Sequence, residues 1–445
     1  MTAAAPRRRP PTLGEMLAFG SAVLALFIFS QGWVSPFEAS FSPGAESPVM
    51  RVIFFPAYAC GLLVMLATGP NVLRTALWSP LVILTVIVAA ASFAWSIDAD
   101  QTLRRAVALA LSTSVAIAIA SRWDWDGIAE VMATMFAALA VLTLVTALVF
   151  PATGRMLDIF PGAWRGLWPE KNAMGGNMAI AFGVFCAASG LVPRLRWLWA
   201  GFAVLALFLV VMSTSKTSLL CAILAGGAAL FVGLVRRGPL TGLAAVFAAV
   251  LGVSIVGGVA IFAADIFFGL LGKDSTLTGR TEIWGPAIRQ AETRPLTGFG
   301  YGAVWNDESG WGPVAWITRQ AGFRAYHAHN SWIAIWLETG FIGLAAWALL
   351  FLETVVLALA SVFRTRGAWL ALPFLVAYSM MSFSETVVYT FNDLRWVIFV
   401  IVACKLAAPH PAPVSAAWHA VRPRAWVEPV FRPAAPRRSS SPDRA

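Results

Sequence analysis

Apolar runs of about 20 residues recur from near the start of the chain to about residue 408. Water is absent from the hydrocarbon core of a membrane, so backbone groups there must bond within the segment itself, which a helix achieves. Runs of this length are long enough to span as helices. Composition agrees: 59% of the 445 residues are hydrophobic and 12% charged, against about 45–50% and about 25% in soluble domains. The chain is therefore read as an all-α polytopic membrane protein.

About twelve spans are expected, near 16–34, 51–69, 77–95, 102–121, 128–150, 172–190, 196–213, 218–235, 241–264, 330–361, 368–384 and 394–408. The tenth run is too long for one simple span, so it is either tilted or continues past the bilayer edge. This divides the chain into an N-terminal segment 1–15, nine helices over 16–264, a large loop or cap over 265–329, three helices over 330–408 and a tail over 409–445. The tail is rich in Pro, Ala, Arg and Ser and is expected to be disordered. The start, MTAAAPRRRPPTLGE, resembles a signal anchor, and without a small-residue cleavage site after it retention is expected.

Charge orients the spans. Arg7, Arg8 and Arg9 precede the first, and Arg74, Arg122, Arg194, Arg196, Arg236, Arg237, Arg364 and Arg366 fall in alternate short loops. Positive loops stay cytoplasmic, which puts both termini inside. The net charge of +10 is thereby explained without nucleic acid. Cys60, Cys186, Cys221 and Cys404 are scattered without metal or disulfide spacing and read as packing residues.

The remaining loops face outward, and the longest, 265–329, has helical patches such as 281–292. Cations gather on this side against the positive-inside tendency, among them Arg104, Arg165, Lys171, Lys216 and Arg280. Basic groups at an outer surface suit an anion such as phosphate. In WRGLWPEKNAMGG, residues 164–176, Asn172 can cap a helix while Arg165 and Lys171 flank its N-terminus. In MSTSKTSLL, residues 212–220, the hydroxyls and Lys216 either grip phosphate oxygens or form a polar hairpin tip. Gly298, Gly300 and Gly302 read as backbone turns, since they lack the GxGxxG pattern and its strand–turn–helix context. Asp124 and Asp126 lie in a tiny loop on the opposite face and read as a solvated turn.

His327 and His329 stand at the mouth of the tenth run, in YHAHNSWIAIWLETGFIG. Titratable groups beside a membrane helix are costly to keep, and a histidine can act as a base near neutral pH. With Asp307 or Glu338 the histidines could ligate a metal, but no HExxH or similar spacing supports one, so no metal or cofactor is expected. Glu338 is expected to pair with a cation or cap a buried polar network. Glu385 and Arg395, in another outer loop, could buttress the site.

Seven segments together resemble the O-antigen ligase and polymerase (Wzy-like) superfamily, most of all its ExoQ-like branch. They are WSIDADQTLRRA at 95–106, RGLWPEKNAMG at 165–175, STSKTSLL at 213–220, LTGRTEIW at 277–284, RPLTGFGYG at 294–302, HAHNSWIAIWLETGFIG at 327–343 and FSETVVYTFNDLRW at 383–396. The resemblance implies a GT-C-like membrane glycosyltransferase with one large periplasmic loop between helices 9 and 10. It would take glycan from an undecaprenyl diphosphate carrier at the periplasmic face of the bacterial inner membrane and pass it to a growing chain or a lipid A core. No metal or nucleotide is implied.

Carried onto this sequence, Arg280 fits the family's loop arginine and His329 the histidine of its His-Asn motif, with Asn330 next. Lys216 stands where relatives often show arginine. The implied mechanism has His329 as base, His327 second or orienting it, and Arg280 stabilising the leaving diphosphate. Arg104, Arg165, Lys171 and Lys216 would assist with the diphosphate, and Asn172, Asn330, Glu338 and Glu385 would support the site. A chain-length regulator and an export protein are the expected partners of a polymerase. A flippase and a scaffold are the alternatives. Predicted midspan regions are nearly free of charge while the polar groups gather on one face, which favours an enzyme.

Overall fold

The computed structural model describes residues 11–34, 52–157, 160–262, 280–307 and 309–408. The expected signal anchor and tail fall largely or wholly outside these residues, as does the stretch 263–279 of the long loop. The described chain is helical: α1 (Leu13–Phe29), α2 (Phe55–Thr68), α3 (Asn71–Leu77), α4 (Pro80–Ala91), α5 (Ala99–Arg122), α6 (Trp125–Val149), α7 (Lys171–Leu191), α8 (Arg196–Met212), α9 (Lys216–Val235), α10 (Pro239–Phe262), α11 (Arg280–Thr293), α12 (Pro313–Ala321), α13 (Ser331–Arg364), α14 (Ala368–Ser384) and α15 (Leu394–Ala407).

Every expected apolar run falls on a helix, but fewer than twelve reach the length of a span. Among the described residues, six are long and apolar enough to cross a membrane, α5, α6, α7, α8 with the turn before it, α9 and α13, or seven if α2 and α3 count as one span. The break at Gly69–Pro70 bends that pair by 102°. The 17-residue α1 and α14 are shorter; at about 1.5 Å per residue such helices fall short of a core about 30 Å thick. The described residues thus support a multi-pass membrane protein without establishing twelve crossings.

Loops assigned to opposite faces by charge touch their own kind. At one end the Trp95 indole donates to Thr297 O at 2.8 Å, the Trp168 indole to Ser30 O at 2.8 Å, and the Gln31 amide to Asn392 O at 3.2 Å. At the other end Arg366 bonds Asp126 at 3.0 Å and Lys405 bonds the carbonyl oxygens of Ala120 and Trp123. The Asp124–Asp126 loop is therefore more than a solvated turn: Asp124 caps α6 through Gly127 N–H at 3.0 Å, and Arg366 pins Asp126.

The tenth run is neither simply tilted nor simply overlong. Gly340 breaks α13 at φ 65°, ψ −166°. The segment Pro295–Gly302 lies across that break: Phe341 N–H donates to Pro295 O at 2.8 Å, and Phe299 and Gly300 N–H donate to Leu337 O and Glu338 O at 3.0 and 2.8 Å. Gly298, Gly300 and Gly302 all have positive φ, as their reading as turns requires. A side chain at Gly298 or Gly340 would strike the opposing backbone. Glu338 caps this crossing by accepting from Gly302 N–H at 2.9 Å. Beyond the break, Trp347 packs with Tyr378 of α14 and with Trp396 and Phe399 of α15, which holds the three helices in register. From the first half of α13, Ala334 and Leu337 join a separate small core with Ile283, Ala287, Phe299, Val314 and Ile317, while Ile335 stays in the main core.

Candidate active site

His327 and His329 lie just before Asn330, the N-cap of α13. The Asn330 carboxamide oxygen accepts from Trp332 and Ile333 N–H at 2.9 and 3.2 Å, fixing where the helix begins. Ser331 then ties this start to the end of α14: its hydroxyl donates to Glu385 O at 2.8 Å and accepts from Val387 N–H at 3.0 Å. Trp284 of α11 donates its indole N–H to Ala328 O at 2.9 Å, between the two histidines. Three elements from three sequence regions thus converge on four residues.

Glu385 is their hub. One carboxylate oxygen receives Arg280 at 2.9 Å and the other lies 3.1 Å from His329 Nδ1. The side chains of Arg280 and Glu385 are only 11% and 21% exposed, so water screens the pair weakly. Burial alone would push the Glu385 carboxyl up, but the hydrogen bond with His329 and the Arg280 charge together hold it below the usual carboxylate range. His329 sits at φ 49°, uncommon for a residue with a Cβ. Its ring centroid is 3.8 Å from that of His327. Desolvation, then the neighbouring His329, pushes His327 down to about 4.

The sequence spacing missed one arrangement. His327, His329 and Glu385 bring one potential ligand atom each within 4.8 Å of one another, a set able to hold a metal ion. The third ligand is Glu385, not Asp307 or Glu338. However, Glu385 already shares its two oxygens between a guanidinium and His329. A divalent cation there would stand against the fixed Arg280 charge, so the donor set fits an ion-paired His–Glu–Arg cluster better than a metal centre.

Beside the cluster lies a cavity of about 380 Å³, bounded by the Trp168–Ala173 segment on one side and by His327, Glu385 and Arg395 on the other. Arg395 faces it already neutralised, with two hydrogen bonds to Asp393. Asn172 lines it too, which corrects its expected role: α7 begins at Lys171, and Glu170 occupies the cap position.

The expected cationic cradle does not assemble as a unit. Arg165 is a structural clamp, donating to Thr153 O at 2.8 Å and Pro169 O at 3.3 Å. Arg104 pairs along α5 with Asp100 at 3.8 Å and is absent from the cavity lining. Lys171 turns from the cavity toward Thr214 Oγ1, 3.3 Å away, and lies over the Phe160 ring. Thr214 adjoins the turn that carries the exposed Lys216, so Lys171 and Lys216 share a rim. The hydroxyls of Ser213, Ser215 and Ser218 are buried and bonded within that turn rather than offered to phosphate. They sit where Gly175 approaches, since a Cβ there would lie 2.6 Å from Ser218 Oγ.

With this geometry described, two comparisons identify relatives. Residues 201–348 match the family described as O-antigen ligase. That span holds Lys216, Arg280, His327, His329, Asn330 and Glu338, and leaves out Arg104, Arg165, Lys171, Asn172 and Glu385. The exopolysaccharide production protein ExoQ of Rhizobium meliloti (strain 1021) is 34% identical over 192 residues, which cover 40% of this chain and 43% of that protein. The chain thus spans less than half the length of the relative it matches. Both findings bear out the resemblance to the O-antigen ligase and polymerase superfamily and its ExoQ-like branch.

Proposed function

We propose that this chain is a membrane glycosyltransferase that joins repeat units of an exopolysaccharide, using an undecaprenyl-diphosphate-linked donor at the periplasmic face of the inner membrane. The observation that carries the chemistry is the single carboxylate, Glu385, shared between Arg280 and His329. In the tautomer with the proton on Nδ1, His329 donates to Glu385 and leaves Nε2 free to accept a proton. The acceptor hydroxyl gives its proton to Nε2 as its oxygen bonds to the anomeric carbon. The bond from that carbon to the diphosphate breaks, and undecaprenyl diphosphate leaves with the electron pair. Attack from the opposite side inverts the anomeric centre.

Arg280 uses one nitrogen on Glu385 and retains other N–H donors for the growing diphosphate charge. Lys171 and Lys216 at the rim would hold the same group from further out. Arg165 and Arg104, occupied elsewhere, have no part in this version. No divalent ion is required.

The test is transfer in vesicles containing the lipid-linked repeat unit. His329→Ala should lower turnover by about 10²–10⁴-fold, and Arg280→Ala by about 10²–10³-fold. Chelators should leave the rate unchanged. Normal transfer by either variant overturns the mechanism. Loss under chelation, restored by zinc, moves the site to the metal reading. The family match favours a second reading, ligation of glycan to lipid A core. A deletion strain separates them: loss of long polymer with single repeats still made marks a polymerase, and loss only of glycan-capped lipid A marks a ligase.

A further inference from the structure

We propose that the cavity beside Glu385 binds an uncharged sugar ring of the acceptor glycan, positioning the hydroxyl that attacks. This rests on the glycosyl-transfer reading and adds a subsite to it. Three observations point to it. The first is charge. Among the lining residues Glu385 and Asp393 are paired with Arg280 and Arg395, so the one lining guanidinium is already matched. Such walls give a diphosphate no uncommitted guanidinium and suit a neutral ligand better.

The second observation is unsatisfied polarity. Asn177 Oδ1, Thr386 Oγ1 and His327 Nδ1 are buried without a hydrogen-bond partner, and all three residues line this cavity. Asn177 is 4% exposed; its amide nitrogen donates to Ala173 O at 2.9 Å, while its oxygen has no partner. A buried polar atom left unpaired costs about 1–3 kcal/mol, and three such residues around one space suit a ligand rich in hydroxyls. The third is placement. The cavity abuts Glu385, which is bonded to His329, and His327, whose ring centroid is 3.8 Å from that of His329, whereas His329 itself, Arg280, Lys171 and Lys216 are absent from its lining. At about 380 Å³ it falls in the lower part of the range of small-ligand sites, ~300–1,000 Å³.

Thr386→Val and Asn177→Leu remove the two groups while keeping approximate volume. In the reconstituted transfer assay each should raise the acceptor KM by about 2–12-fold, as losing one neutral hydrogen bond predicts. The donor KM should be unchanged and kcat should stay within about twofold. Binding is measured separately by isothermal titration calorimetry, titrating full-length protein in detergent with oligosaccharide from partial acid hydrolysis of the host's polysaccharide, reduced at its free end. His329→Ala should bind this probe as wild type does, and the two cavity variants should bind it more weakly by the same factor. Inorganic pyrophosphate should not compete with it.

Properly folded variants with wild-type binding and acceptor KM overturn the subsite, as does a shift confined to the donor KM or competition by pyrophosphate. Saccharide binding that depends on Asn177 and Thr386 without any transfer upholds the subsite and sinks the glycosyltransferase reading instead. The two failures are thereby distinguishable.

Discussion

His327 and His329 are separated by one residue, yet their surroundings differ. His329 is bonded to a carboxylate, which fixes its ring and would support it as a base. The His327 ring lies tilted beside it, and desolvation with the nearby His329 holds it neutral. Between its ordinary value of 6.5 and about 4 in the folded chain, the unfolded state binds the proton and the folded state resists it. The burial therefore costs nothing above about pH 6.5 and destabilises the fold increasingly as pH falls toward about 4. At pH 5 the effect is ~2 kcal/mol. The apparent Tm in detergent should accordingly fall from pH 7 to pH 5, and His327→Asn should lessen that fall. Equal acid sensitivity in both proteins would show that His327 is not buried as described. The sequence singled out this pair and ranked its members on motif alone; Glu385, 56 residues from His329, is what makes their surroundings differ.

The element that matters most is the broken helix α13. The histidines lead directly into its first half, its second half is locked into the aromatic core, and the Pro295–Gly302 segment occupies the notch between them. At Gly340 the backbone is in a region only glycine adopts readily, and a Cβ would collide with the Leu296 carbonyl. Gly340→Ala should therefore cost at least ~2 kcal/mol and release the crossing segment. Faster chymotrypsin cleavage after Phe299 and Tyr301, which are buried while the segment is docked, with lost transfer, is the expected readout. Gly227→Ala in α9 meets no atom within 4 Å and serves as the tolerated control. Resistance of the Gly340 variant to chymotrypsin would mean that the docking does not depend on the break. The sequence revealed the glycines as turns and the run as too long for a single span. It could not reveal the notch, because the two halves of that contact lie about forty residues apart and neither shows a periodicity that implies the other.

Across the whole molecule, the positions of helices were the most legible feature, since apolar run length reports directly on burial in lipid. Alternating arginines identified the two sets of loops, and contacts within each set agree. The cationic cradle was overread. A cation in an outer loop can be spent on backbone carbonyls, as Arg165 is, and only three-dimensional neighbours reveal that. Strain was invisible as well: among the described residues Gln31, Thr214, His329, Tyr389 and Asn392 are the non-glycines with positive φ, and all lie in the loop set that holds the site. Which side of the membrane that end faces is the remaining premise of the periplasmic reaction. Tyr326, 52% exposed beside the histidines, and Trp197, 79% exposed at the opposite end, offer a direct test. In a background with the four cysteines replaced by alanine, a membrane-impermeant maleimide should label Tyr326→Cys in intact spheroplasts and Trp197→Cys only after lysis. Bacterial undecaprenyl-linked repeat units polymerised outside the cytoplasm need the first pattern. The reverse pattern would place Glu385, Arg280 and His329 in the cytoplasm, where an acceptor chain being exported could not reach them, and the proposed reaction would fall.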